Sequence, residues 1–175
     1  MPYFILLILS LLISPSQARE AKPPLAMEPI VGRASVIDGD TLDIHGTRIR
    51  LHGIDAPESR QTCLDAQDQP WRCGQRAALL LADLLEGKIV TCQARDIDRY
   101  RRIVGICEAG GITINAWMVE NGLALAYRRY SKDYVEHESR AVEAQRGLWA
   151  GSFDAPWDWR QQRKATSLQA DRQRR

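Results

Sequence analysis

"GRASVIDGDTLDIHGTRIRLHGIDAP", Gly32 to Pro57, decides the fold. Apolar and polar residues alternate along it, and Asp38-Gly39 and His45-Gly46 punctuate it. That pattern reads as strand, tight turn, strand, turn, strand, three in succession. Its end departs from strand behaviour. Asp55, Pro57 and Glu58 follow Ile54 closely, with Arg50 just upstream. A strand that only had to turn would need no more than Gly or Asn there. Two carboxylates and an arginine point instead to a site.

Arg50 and Asp55 are five positions apart. On a flat strand they would face opposite sides, about 16 Å apart at about 3.3 Å per residue. Sharing one site requires a bend, and Gly53 is where the backbone most easily supplies it. Pro57 rules out continued strand, so Glu58 belongs to a loop at the rim. Asp38-Gly39 is a hairpin signal in its own right, but Asp40, just past it, is less simply explained. With the two turns side by side, Asp40, Asp55 and Glu58 converge. Oxygen-only ligands suit a hard cation, Ca2+ or Mg2+. Three carboxylates at one point repel one another, so metal or arginine must neutralise them. The plain alternative is a set of solvated surface carboxylates.

The chain outside this stretch fits one domain with short tails. It has 175 residues, 45% of them hydrophobic, and a net charge of +2. So small a charge announces no nucleic-acid binder; any basic surface must be local. "MPYFILLILSLLISPSQA" holds an apolar run, Phe4 to Ile13, followed by small residues at Ser16 and Ala18. This predicts a signal peptide over 1–18, with an uncleaved anchor as the alternative. Residues 19–30 form a flexible lead-in, and the domain spans 31–153. Arg60 to Gly74 is a loop, and helices are predicted over Gln75–Gly87, "TINAWMVENG" and Lys132–Arg146. "KIVTCQARDIDRYRRIVGICEAG" is a hairpin turning near Asp98–Arg101. After Phe153, six Arg or Lys stand against three Asp among many Gln, which predicts a basic tail over 154–175 without structure, although Trp157 and Trp159 suggest that its beginning packs on the domain. The fold class is α+β: a five-stranded OB-type β-barrel with three α-helices.

The four cysteines, Cys63, Cys73, Cys92 and Cys107, form no CxxC pair and have no histidine near them, which argues against zinc. In an exported chain an even number favours disulfides, and three connectivities exist. A hairpin symmetric about Arg99 and Tyr100 puts Cys92 opposite Cys107, which selects Cys92–Cys107 and Cys63–Cys73. His45, His52 and His137 are too scattered for a nucleophilic relay. Trp117 is expected in the core. Arg128, Arg129 and Lys132 either line a polyanion's path or form a solvated face.

"IDGDTLDIHGTRIRLHGIDAPE", followed by "DRYRRIVG", "INAWMVENGLA" and "AQRGLW", resembles the staphylococcal nuclease (thermonuclease) family from about Val31 to Trp149. The resemblance implies a Ca2+-dependent phosphodiesterase acting on DNA, or on DNA and RNA, from an OB barrel; a monomer is expected, and the signal peptide implies export to the periplasm or medium. It makes Asp40, Asp55 and the backbone carbonyl of Ala56 the metal ligands. Glu58 becomes the general base, and Arg50 and Arg102 the phosphate-binding arginines. Arg99 and Tyr100 match contacts to a terminal phosphate, and Tyr127 or Tyr130 supplies another. Arg101 stands where most members have Gly, a position that favours positive φ, so either Arg101 or Arg102 reaches the phosphate. Two further readings stay open. One is a binding module on the same barrel that has lost catalysis. The other is an accessory protein of exopolysaccharide synthesis or plasmid maintenance.

Overall fold

The computed structural model describes residues 27–174, so the predicted signal peptide lies outside the described residues. The alternating stretch folds as expected, into β1 (Ile30–Gly32), β2 (Ala34–Asp38), β3 (Thr41–Ile44) and β4 (Thr47–Leu51). β2–β3 and β3–β4 are antiparallel hairpins, with Thr41 opposite Arg50 and Leu42 opposite Ile49. Leu42, Ile44, Ile49 and Leu51 are buried, and Arg48 and Arg50 turn to the other face. Their burial drives the association, at roughly 1.5–3 kcal/mol for each fully buried side chain.

Beyond β4 come the short β5 (Ile54–Asp55), a small hairpin of β6 (Cys63–Leu64) and β7 (Pro70–Trp71), and helix α1 (Cys73–Leu85). β8 (Val90–Ile97) and β9 (Ile103–Ala109) form the long hairpin, and β10 (Ile112–Thr113) leads into α2 (Ile114–Glu120). β11 (Leu125–Ala126) pairs with β5, and α3 (Val135–Glu143) and a 3-10 turn, Gly147–Ala150, close the domain. The main sheet runs β1-β8-β9-β4-β3-β2, with β10 beside β9; β4 and β9 are parallel.

The α+β, OB-like arrangement is thus observed, with three differences. Seven strands make up the main sheet because the first strand is broken at Arg33 and β10 adds a short edge. The sheet is not a closed barrel: β1 and β2 are its two edges, joined through Arg33 but not hydrogen-bonded to each other. A fourth helix, α4 (Pro156–Gln173), occupies the segment predicted to lack structure. Pro156, buried at its first position, preorganises the start. From Gln161 onward every described residue is exposed, which is why no apolar periodicity announced the helix.

Both disulfides match the sequence reading. Cys92 lies directly opposite Cys107 and is bonded to it, and Cys63 is bonded to Cys73, stapling the β6–β7 loop to the start of α1. Asn115, fully buried in α2, takes a hydrogen bond from the Cys107 amide and donates to the carbonyls of His52 and Gly105. It thereby ties the corner after β4 to the centre of the sheet. Trp117 packs against the main core while remaining partly exposed.

The candidate active site

Gly53 supplies the bend. Its φ is +71°, and a Cβ there would come within 3.0 Å of the Tyr134 ring. The reversal brings Asp55 back onto Arg50: Arg50 Nη2 donates to Asp55 Oδ1 at 2.6 Å, where a flat strand would separate the two widely. The same nitrogen lies 2.9 Å from Asp40 Oδ2. Asp40 reaches this point because Thr41 is the cross-strand partner of Arg50 and the Leu51 amide donates to the Asp40 carbonyl. The Ala56 amide donates to Asp40 Oδ2 at 2.9 Å, lacing the two turns together. Asp40 and Asp55, two of the three carboxylates expected to converge, thus meet on one arginine nitrogen.

Glu58 sits on the loop after Pro57, its side chain 37% exposed where that of Asp55 is fully buried. Two residues the sequence did not single out hold it. Gln61, fully buried, accepts from the Glu58 amide, returns its own amide to the Glu58 carbonyl, and donates from Nε2 to the Asp154 carbonyl. Gly74, in the first turn of α1, lets that helix approach closely: a Cβ there would fall 1.8 Å from the Glu58 carbonyl oxygen.

The unexpected member is Arg160 of α4. Its guanidinium donates to both oxygens of Asp55, at 3.2 and 2.7 Å, and to Glu58 Oε1 at 2.7 Å. A Gln/Arg-rich tail gives no signal that one of its arginines returns to the site. Three carboxylates (Asp40, Asp55, Glu58) thus face two guanidiniums (Arg50, Arg160), leaving a formal charge of −1. Burial, against the pull of Arg50, pushes the Asp40 carboxyl up to about 7. For Arg50, burial opposes the charge but Asp40 and Asp55 outweigh it and raise its pKa. The same balance, with hydrogen bonds to Asp55 and Glu58, raises that of Arg160.

The β8–β9 turn lies alongside. Val104 is the parallel partner of Arg50, so Arg102, two residues earlier, belongs to the same side of the sheet. Its guanidinium is held by Asp98, at 2.8 and 2.7 Å, and does not touch the three carboxylates. Burial pushes the Asp98 pKa up, but hydrogen bonds from the Arg102 amide and guanidinium together hold it below the usual range. Arg102 is half-buried and Arg101 exposed. Arg101 takes the positive φ, +63°, that a glycine would adopt without strain. Arg101→Gly is accordingly expected to stabilise the protein by about 1 kcal/mol, measured as a raised denaturation midpoint in urea. Arg99 Nη2 donates to the Tyr100 hydroxyl, and the guanidiniums of Arg99 and Arg102 lie over the Tyr100 ring at 4.7 and 5.5 Å.

Tyr127 is positioned by its amide, which donates to the Gly53 carbonyl. Its ring stacks on Trp157 of α4, centroids 5.3 Å apart and planes at 7°, and meets the exposed Tyr130 edge-on. Arg128 pairs at 2.6 Å with Glu138, a buried carboxylate whose other oxygen takes the Ala126 amide, so Arg128 is committed to the fold. A cavity of about 590 Å3 lies elsewhere, lined by Trp71, Leu79, Leu80 and Trp117, and none of the three carboxylates reaches it.

Two buried or nearly buried aspartates aimed at one point, with net negative charge around them, are chemically suited to a hard divalent cation. Among the described residues no three His, Cys, Asp or Glu side chains enclose a metal position by themselves. Backbone carbonyl, water and substrate oxygens would have to complete the coordination, as hard cations commonly allow.

The family model for staphylococcal nuclease homologues matches residues 48–151. A succinoglycan biosynthesis protein, ExoI, of Rhizobium meliloti is 41% identical over 71% of this chain and 66% of its own length. A micrococcal nuclease of Shigella flexneri is 37% identical over 74% of this chain and 79% of its own. An uncharacterized endonuclease of Escherichia coli is 34% identical over 78% and 89%.

Proposed function

Because the chain belongs to the staphylococcal nuclease homologue family, we propose that it is a nuclease: a hydrolase of phosphodiester bonds in DNA, or in DNA and RNA, dependent on Ca2+. The observation that carries this reading is the meeting of Asp40 and Asp55 on Arg50, beside Glu58. A binding module would need the cations but no carboxylate poised to take a proton.

In this reading Asp40, Asp55 and the carbonyl of Ala56 hold the cation, which when bound neutralises phosphate charge and orients the diester. Glu58 accepts a proton from the attacking water at a carboxylate oxygen. Arg50, held to both aspartates through Nη2 alone, turns a planar pair of N–H donors toward the phosphate oxygens, where charge grows as the water adds. Arg102, released from Asp98, supplies the second fork. Arg99 and Tyr100 meet a terminal phosphate in this reading, and Tyr127 or Tyr130 supplies a further contact. Products with 3′-phosphates are expected. Two disulfides suit an oxidising compartment and support export to the periplasm or medium. The likeness to ExoI favours succinoglycan or related polysaccharide synthesis as a setting, compatible with the same chemistry.

The test is plasmid digestion by the purified protein with Ca2+ and with chelator. Degradation with Ca2+ alone supports the reading, and plasmid bound but intact under both conditions would favour the binding module. Gly74→Ala adds a positional check. Forcing the α1 backbone away from Glu58 should cut the rate by about tenfold to a hundredfold, with substrate affinity nearly unchanged.

A further inference from the structure

Arg160 lies beyond residue 151, outside the segment that matches the family. It uses the lone pairs that a cation would need. Asp55 Oδ1 accepts from Arg50 and Arg160, Asp55 Oδ2 accepts from Arg160, and Glu58 Oε1 accepts from Arg160. A cation bound through Asp55 and a guanidinium on the same oxygens would be like charges in contact, in a site partly removed from water, where repulsion is strong. One of them must leave. A guanidinium on Glu58 also occupies an oxygen that would take the proton of an attacking water.

The anchor that holds Arg160 is small. Trp157 and Arg160, three residues apart, share one side of α4, and Pro156 is the one buried residue of that helix. Trp157 rests on Tyr127, and the described residues from Gln161 onward are all exposed. Displacing the start of α4 therefore costs the Arg160 ion pairs, the burial of Pro156 and the packing of Trp157 on Tyr127 and on the small cluster of Cys63, Cys73, Leu125 and Leu148, while the main core stays intact.

We infer that Arg160 is a resident counter-ion of this site, which competes with a divalent cation for Asp55 and covers Glu58 meanwhile, so that cation binding releases the first turn of α4 from Tyr127. This rests on the reading of Asp55 as a cation ligand, and of Glu58 as the general base, of a nuclease site. The competition lowers the apparent cation affinity by the fraction of molecules in which Arg160 is docked. It also keeps the carboxylates neutralised until a cation arrives.

The test is calorimetric titration of Ca2+ into the full chain, wild type beside Arg160→Gln, Arg160→Lys and Asp55→Asn, with tryptophan fluorescence followed in parallel. Arg160→Gln is expected to bind Ca2+ at least about tenfold more tightly, with Arg160→Lys between it and wild type. The fluorescence change on Ca2+ binding, from Trp157 leaving Tyr127, should be present in wild type and reduced in Arg160→Gln. Equal or weaker Ca2+ binding by Arg160→Gln would overturn the inference. Should that variant fail to fold, Trp157→Ala leaves every charge in place and must still tighten binding; unchanged affinity there is equally adverse. If Asp55→Asn abolishes Ca2+ binding while Arg160→Gln matches wild type, the inference alone falls. If neither wild type nor Arg160→Gln binds Ca2+, the cation reading falls with it.

Discussion

Glu58→Gln is expected to lower phosphodiester cleavage by about a hundredfold or more, with affinity for uncleaved polynucleotide little changed. The substitution is nearly isosteric. It keeps an acceptor oxygen for Arg160 and removes only the negative charge and the ability to take a proton. The backbone around Glu58 is fixed by Gln61 and by the close approach of Gly74, so the loop should keep its course. The loss belongs in kcat, because proton acceptance is stronger in the transition state than in the ground state. A rate within a few-fold of wild type would remove Glu58 from the role assigned to it. Single-turnover digestion of a labelled strand, beside a filter-binding titration, measures both quantities.

Arg50→Lys should be at least as damaging, and it should also cost stability. Nη2 of Arg50 lies 2.9 Å from Asp40 and 2.6 Å from Asp55, both nearly or fully buried. A lysine ammonium is a point donor on a flexible stem, able to approach this position but without a second arm for a phosphate. Losing the fork is expected to cost on the order of a hundredfold in rate. Arg50→Ala goes further. Removing one partner leaves buried carboxylates uncompensated, which typically costs about 3–5 kcal/mol. Arg160 still covers Asp55, and a carboxyl that takes up a proton escapes part of the penalty, so the lower end of that range is expected. Urea denaturation of the metal-free protein gives the stability change. A midpoint unchanged in Arg50→Ala would mean that the aspartates are not held as described.

The parts of this molecule that could be read from its sequence are those where one residue type has few physical uses. Alternation from Val36 to Leu51 fixed which residues face the core. A glycine between an arginine and an aspartate that needed to meet implied the bend at Gly53, and hairpin symmetry paired Cys92 with Cys107. The ion pair of Asp98 with Arg102, which parks that guanidinium away from the carboxylates, was not read from the sequence. What stayed hidden depends on contacts distant in the chain. Gln61 is one glutamine among many until its amide is seen to hold Glu58 and Asp154. Gly74 looks like any residue at a helix start until the Glu58 carbonyl is found against it. Glu138 on α3 and Arg160 on α4 sit in charged, exposed-looking helices, and only the folded chain returns them to buried partners. α4 lacks an apolar stripe, so its start is held by Pro156, Trp157 and the Arg160 ion pairs.

The gathering of acidic oxygens around a divalent ion is tested most directly by crystallography of Ca2+-soaked protein, with anomalous scattering to locate the metal. A peak within about 2.3–2.6 Å of a carboxylate oxygen of Asp40, one of Asp55 and the carbonyl of Ala56 is the predicted result. An anomalous map with no peak there, while Arg50 and Arg160 keep their bonds to Asp55 at saturating Ca2+, would contradict it.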